Sequence, residues 1–83
     1  MVTMPALRWF MLPDLGEGLT EAEIVKWLVA TGDTVRLNQP IVEVETAKAV
    51  VEIPAMWAGL VVEIPHPEGA VLAVGTPIIA IDT

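Results

Sequence analysis

The sequence predicts an all-β fold, a small β-sandwich or flattened barrel with approximate twofold symmetry. Three observations carry the prediction. Val and Ile dominate the apolar residues and fall in short alternating runs, which favours strands over helices. Glycines and prolines punctuate those runs at short intervals. The chain also repeats itself: shifted by 37 positions, "IVKWLVATGDTVRLNQPIVEVET" (residues 24–46) lies over "VVEIPHPEGAVLAVGTPIIAIDT" (residues 61–83) without a gap. Gly32 falls on Gly69, Pro40 on Pro77 and Thr46 on Thr83, and each half reads strand, Gly turn, short strand, Pro, strand.

Taken in order, residues 1–9 ("MVTMPALRW") read as a frayed N-terminal extension, because Pro5 and Arg8 interrupt the apolar residues. The folded domain is expected over 10–83. "TEAEIVKWLVA" has capping-box spacing between Thr20 and Glu23 and so resembles a helix start. Its repeat counterpart contains Pro65 and Pro67, which a helix interior does not tolerate, so residues 23–29 are expected to form a strand. In "IVEVET", alternation places Val42, Val44 and Thr46 on one face and Ile41, Glu43 and Glu45 on the other. In "AVVEIP", Ala49, Val51 and Ile53 share a face opposite Val50 and Glu52. Pro13, Pro40, Pro54, Pro65, Pro67 and Pro77 suit strand starts, ends or edges, where the missing N–H costs least. Gly16, Gly18, Gly32, Gly59, Gly69 and Gly75 are expected to mark turns.

Composition excludes several functions. Eighty-three residues make one domain with a modest core, and 54% hydrophobic against 18% charged content describes a globular chain. A net charge of −7, with Arg8, Lys26, Arg36 and Lys48 as the only Lys/Arg cations, argues against a nucleic-acid or anionic-membrane partner. Its apolar runs are too short to span a bilayer. The absence of cysteine removes disulfides, thiolate metal sites and cysteine nucleophiles, and an interrupted N-terminus with no clean small-residue cleavage site makes a cytoplasmic setting the expectation. His66, the single histidine, lies in "PHPEG" and reads as a solvated loop residue; Glu17, Glu21 and Glu23 read as an acidic face rather than a metal site.

The residue that needs an explanation is Lys48, at the centre of "EVETAKAVVEIPA". Two alternating runs meet at "ETAK", so Lys48 is expected at a tight turn between antiparallel strands, at the junction of the repeats and close to their symmetry axis. An activated amine would need burial or a second cation, and its neighbours Glu43, Glu45 and Glu52 are acidic. A solvated surface lysine and an attachment handle remain. Small neighbours, Ala47 and Ala49, leave the amine sterically open for amide formation with a carboxylated cofactor, and tethering would raise that cofactor's effective concentration at neighbouring active sites.

The combination "LGEGLTEAEIVKW…GDTV…IVEVETAKAVVEIPA…G", with Gly32 sixteen residues before Lys48 and Gly59 eleven after it, resembles the lipoyl domain of 2-oxo acid dehydrogenase complexes over nearly the whole chain. The resemblance implies two four-stranded antiparallel sheets and lipoic acid joined to Lys48, flanked by Glu45, Thr46, Ala47 and Ala49. It implies a parent dihydrolipoamide acyltransferase, non-catalytic in this domain. Its arm would serve a thiamine-diphosphate-dependent dehydrogenase, the acyltransferase catalytic domain and dihydrolipoamide dehydrogenase, after attachment by a lipoate ligase or lipoyl transferase. The compartment would be the cytoplasm, or the mitochondrial matrix in a eukaryote. Residues Gly16, Glu17, Gly18, Glu21 and Glu23, in a loop lying near the lysine hairpin in that family, would govern partner recognition. "GEG…E" and "EIVKW" look like acyltransferases of the branched-chain type and of some pyruvate complexes. One departure is Ala47, where the family usually has Asp. Biotin carrier domains are similar in fold but typically set the lysine between methionines; a biotin carrier and an unmodified interaction module are the alternatives.

Overall fold

The computed structural model describes residues 7–16 and 18–83. Eight strands run in chain order: β1 (Leu7–Met11), β2 (Glu21–Trp27), β3 (Thr34–Val35), β4 (Pro40–Glu45), β5 (Val50–Pro54), β6 (Gly59–Glu63), β7 (Val71–Ala73) and β8 (Pro77–Asp82). They form two four-stranded antiparallel sheets, β1-β8-β6-β3 and β5-β4-β2-β7. No helix occurs among the described residues, and the Thr20–Glu23 spacing caps nothing.

The strand orders express the duplication. Replacing each strand by its counterpart four places along turns one sheet into the other. Residues 37 apart even share irregularities. The β2–β4 register shifts between Ile24 and Lys26, and the β6–β8 register shifts between their counterparts Val61 and Glu63. Matching turn bonds recur as well: Gly69 N donates to Ile24 O at 2.7 Å and Gly32 N to Val61 O at 2.9 Å.

Inward residues of both sheets form one core, in which Val35, Ile41, Val42, Ile79 and Ile81 are fully buried. Prolines 40 and 77 open central strands, and Pro54 closes an edge strand, so none removes a ladder bond from a strand interior.

Several expectations are corrected. Strand β1 opens at Leu7, three residues before the expected boundary, because Leu7, Arg8 and Trp9 pair with Asp82, Ile81 and Ala80 of β8. Arg8 also lies 5.4 Å over the Trp57 ring, which meets Phe10 edge-on. Residues 1–6 of the expected extension fall outside the described residues. Strand β2 spans 21–27 rather than 23–29; Ala30 N instead bonds the Asp33 carboxylate and opens a turn. Ile41 is buried together with Val42 and Val44, because the β4–β5 register shifts between Pro40 and Val42. Ala49 and Val51 are exposed although Ile53 on their face is buried; β5 is an edge strand, and Val51 there is open while its partner Val44 on β4 is buried.

Gly59 is not a turn residue. It opens β6, and a Cβ there would meet the Asp82 carbonyl oxygen and lie 2.7 Å from Ile81 Cγ2. Lys48 is not near the symmetry axis either. The counterpart of the β4–β5 hairpin is the pair of chain ends at β8 and β1, so the pseudo-twofold carries the lysine turn to a different place.

Candidate functional site

The β4–β5 ladder closes at Glu45 opposite Val50, leaving Thr46, Ala47, Lys48 and Ala49 as the turn. Thr46 builds it. Its N–H donates to Ala49 O at 2.9 Å, and its hydroxyl donates to the same oxygen at 3.1 Å. The hydroxyl oxygen accepts the N–H groups of Lys48 and Ala49, each at 3.2 Å. A threonine hydroxyl bonding backbone two and three residues on is the chemistry that favours Thr at turns. Lys48 therefore sits at the third position of a turn fastened from inside, and Ala47, Lys48 and Ala49 are all exposed. Sequence reasoning took Thr46 as a polar flank; its hydroxyl holds the lysine's backbone.

Acidic residues stand on both flanks of the hairpin. Glu23 of β2 stands directly opposite Glu45 of β4, and Glu43 directly opposite Glu52 of β5. Like charges in cross-strand register disfavour the fold, although Glu43 also faces Lys26 of β2. A groove of about 320 Å³ runs between the Gly18–Glu23 segment and Glu45–Ala47, with Val71 along it. The structure thus brings Gly18, Glu21 and Glu23 to the hairpin flanks Glu45, Thr46 and Ala47. Gly16 faces an adjoining hollow with Asp14 and Val74 instead. Glu17 lies outside the described residues. Gly16 (φ 83°) and Gly18 (φ 74°) shape the loop through left-handed backbone, and an Asp14 carboxylate accepting Gly16 N at 2.8 Å fixes its start.

Sequence reasoning missed Leu19, Thr20, Ala22 and Val71, which also line the groove. Val71 reaches it because β7 pairs with the start of β2, placing Val71 beside Glu23. No local signal announces that pairing. Only the repeat, in which β3 lies beside β6 as β7 lies beside β2, could have found it. His66 proves half-buried, and its carbonyl accepts the Trp27 indole N–H at 2.9 Å.

Two four-stranded sheets related by a pseudo-twofold, with an exposed lysine held on a four-residue hairpin turn, define the class: a barrel-sandwich domain of the kind that carries biotin or lipoate. Residues 9–81 match the biotin/lipoyl family, described as "Biotin-requiring enzyme". The chain is 49% identical over 73 residues, 88% of its length, to the dihydrolipoyllysine-residue acetyltransferase component of the pyruvate dehydrogenase complex of Staphylococcus aureus, and 48% identical to that of Staphylococcus epidermidis. It spans 17% of the length of these relatives. The solution structure of the lipoyl domain of the 2-oxoglutarate dehydrogenase complex from Azotobacter vinelandii superposes with a TM-score of 0.73 at 25% identity, covering 90% of this chain and 95% of that one. A single-chain long-chain acyl-CoA carboxylase shares the fold at a TM-score of 0.77, with 16% identity over 99% of this chain and 8% of that one. The chain belongs to the biotin/lipoyl family, and within it is a lipoyl carrier domain, a non-catalytic module.

Proposed function

We propose that lipoic acid is carried in amide linkage on Lys48 and serves as a swinging arm within a 2-oxo acid dehydrogenase complex of the pyruvate type, in the cytoplasm of a bacterium. The observation that carries the reading is the hairpin itself: Thr46 fixes the turn's backbone, and Lys48 stands exposed between the small residues Ala47 and Ala49. Names of the relatives it matches support the choice of complex.

The residues present fit the cofactor, since amide formation requires an accessible primary amine on a firm base. Attached lipoate supplies a dithiolane that undergoes reduction and acylation. The chain's own contribution is presentation: Glu45, Thr46, Ala47 and Ala49 set where the arm leaves the domain. Ala47, standing where the family usually has Asp, leaves Glu45 and Thr46 as the polar residues on that side of the tip.

The acidic wall provides recognition. Glu21, Glu23 and Glu45, with Glu17 and the loop that Gly16 and Gly18 shape, meet the thiamine-diphosphate-dependent dehydrogenase that loads the arm. The remaining partners are the acyltransferase catalytic domain of the parent chain, dihydrolipoamide dehydrogenase, and the lipoate ligase or lipoyl transferase that modifies Lys48.

Intact mass of the chain produced in cells supplied with lipoate tests the proposal. One lipoyl group should add, taking the formal charge from −7 to −8 by loss of one ammonium. Lys48→Ala should carry none, with Lys26 untouched within β2. A lipoylated Lys48→Ala chain, or a streptavidin-reactive product, would overturn the assignment.

A further inference from the structure

The hairpin tip has two unlike flanks. On the β5 side Val50 is 51% exposed and lies outside the groove. On the other side Thr46 and Ala47 form one wall of the groove, the Gly18–Glu23 segment forms the facing wall, and Val71 lies along it with 58% of its surface exposed. A chain leaving Lys48 therefore starts one residue from an open channel.

We infer that this groove seats the hydrocarbon chain of the acyl group on Lys48, so that the arm rests against its own domain between transfers; the inference rests on attachment at Lys48. Size permits it: at about 320 Å³ the groove falls within the roughly 300–1,000 Å³ range of small-molecule sites. Surface chemistry permits it too. Leu19, Ala47 and Val71 offer apolar surface, and taking methylenes and these side chains out of water together is favourable. Tethering removes most of the entropic cost of association, because the ligand is already beside its site.

The rim sets selectivity. Glu21, Glu23 and Glu45 surround the channel with carboxylates, so it accepts a neutral chain and repels an anionic one. A neutral arm, whether disulfide, thioester or protonated dithiol, is seated, whereas an ionised group is repelled. The groove is shallow and open, which keeps the seat reversible and leaves the arm available to partners.

The experiment uses the 83-residue chain loaded by lipoate ligase with uniformly ¹³C-labelled octanoate, which tests the hydrocarbon without the sulfur chemistry. Intact mass first establishes loading on Lys48; absence of the added octanoyl group would overturn the attachment reading and this inference with it. On the loaded chain, nuclear Overhauser contacts should join the octanoyl methylenes to the Val71 and Leu19 methyls. Amide shifts on loading should extend to Gly18–Glu23 and residue 71. Val71→Asp should abolish those contacts, while Val50→Asp, equally near the tip but outside the groove, should keep them. Shifts confined to residues 46–50 with no contact to Val71 or Leu19 would overturn the inference while leaving attachment intact. Equal loss in Val50→Asp and Val71→Asp would also overturn it.

Discussion

Replacing Gly59 by alanine tests how tightly β6 packs against β8. The added methyl would fall on the Asp82 carbonyl oxygen, 2.7 Å from Ile81 Cγ2 and 3.1 Å from Asp82 C. Most of what it meets is backbone of β8, a central strand paired on both sides, so the obstacle cannot swing away. Gly59 cannot retreat either, because its other neighbour is Val35 of β3. Inserting a methyl into such a site costs about 3 kcal/mol, the upper part of the usual overpacking range. Alanine restricts the unfolded chain and returns about 0.7 kcal/mol. The net loss is about 2 kcal/mol, which for a domain of this size lowers Tm by roughly 8–16 °C. Thermal melts by circular dichroism would read it. Gly32→Ala is the informative comparison: nothing lies within 4 Å of its added methyl, but its φ of 97° strains any L residue. Asparagine tolerates left-handed backbone better, so Gly32→Asn should recover part of the loss while Gly59→Asn should lose more than Gly59→Ala. A Gly59→Ala melt within 2–3 °C of wild type (about 0.5 kcal/mol) would refute the close-packing argument.

Asn38 adopts φ 69°, and its repeat counterpart Gly75 adopts φ 92°, so Asn38→Ala should cost about 1 kcal/mol while Asn38→Gly stays within about 0.5 kcal/mol, both read from urea midpoints. Moving the lysine by one place, as Ala47→Lys with Lys48→Ala or Ala49→Lys with Lys48→Ala, should leave the fold within about 0.5 kcal/mol because those alanines are exposed. Lipoate ligase should nevertheless leave both shifted chains unmodified by intact mass; loading as fast as at Lys48 would show that presentation by the turn is not what selects the residue. Glu21→Lys reverses one carboxylate on the groove and should slow reductive acylation of the lipoylated domain severalfold at low salt without altering its melt. A rate unchanged at low salt would remove Glu21 from the recognition surface.

Periodicity and punctuation made much of this protein legible before any coordinates. The 37-residue repeat converted an apparent helix start at Thr20 into a strand, because Pro65 and Pro67 forbid a helix in its counterpart. Alternation in "IVEVET" and "AVVEIP" placed Lys48 at a hairpin turn, and β4 ends three residues before it while β5 begins two residues after it. These inferences are local: they depend on the two-residue period of a strand and on the backbone limits of proline and glycine. Other features arise only when distant segments meet. Gly59 reads as a turn glycine from sequence, yet its role is the close approach of β8, 23 residues further along at Asp82. Ile41 broke the alternation because a register shift lies between Pro40 and Val42, and a shift is a property of two strands rather than one. Val71 joined the lysine groove through the β2–β7 pairing, and Leu19 through the loop that Gly16 and Gly18 bend toward the tip. The all-β class, the duplication and the hairpin lysine were readable from one chain, because each is written in spacing along it. The groove, the facing carboxylates of Glu23 and Glu45 and the place of Lys48 away from the symmetry axis emerge only when the strands assemble, because each depends on which strands become neighbours across the sheet.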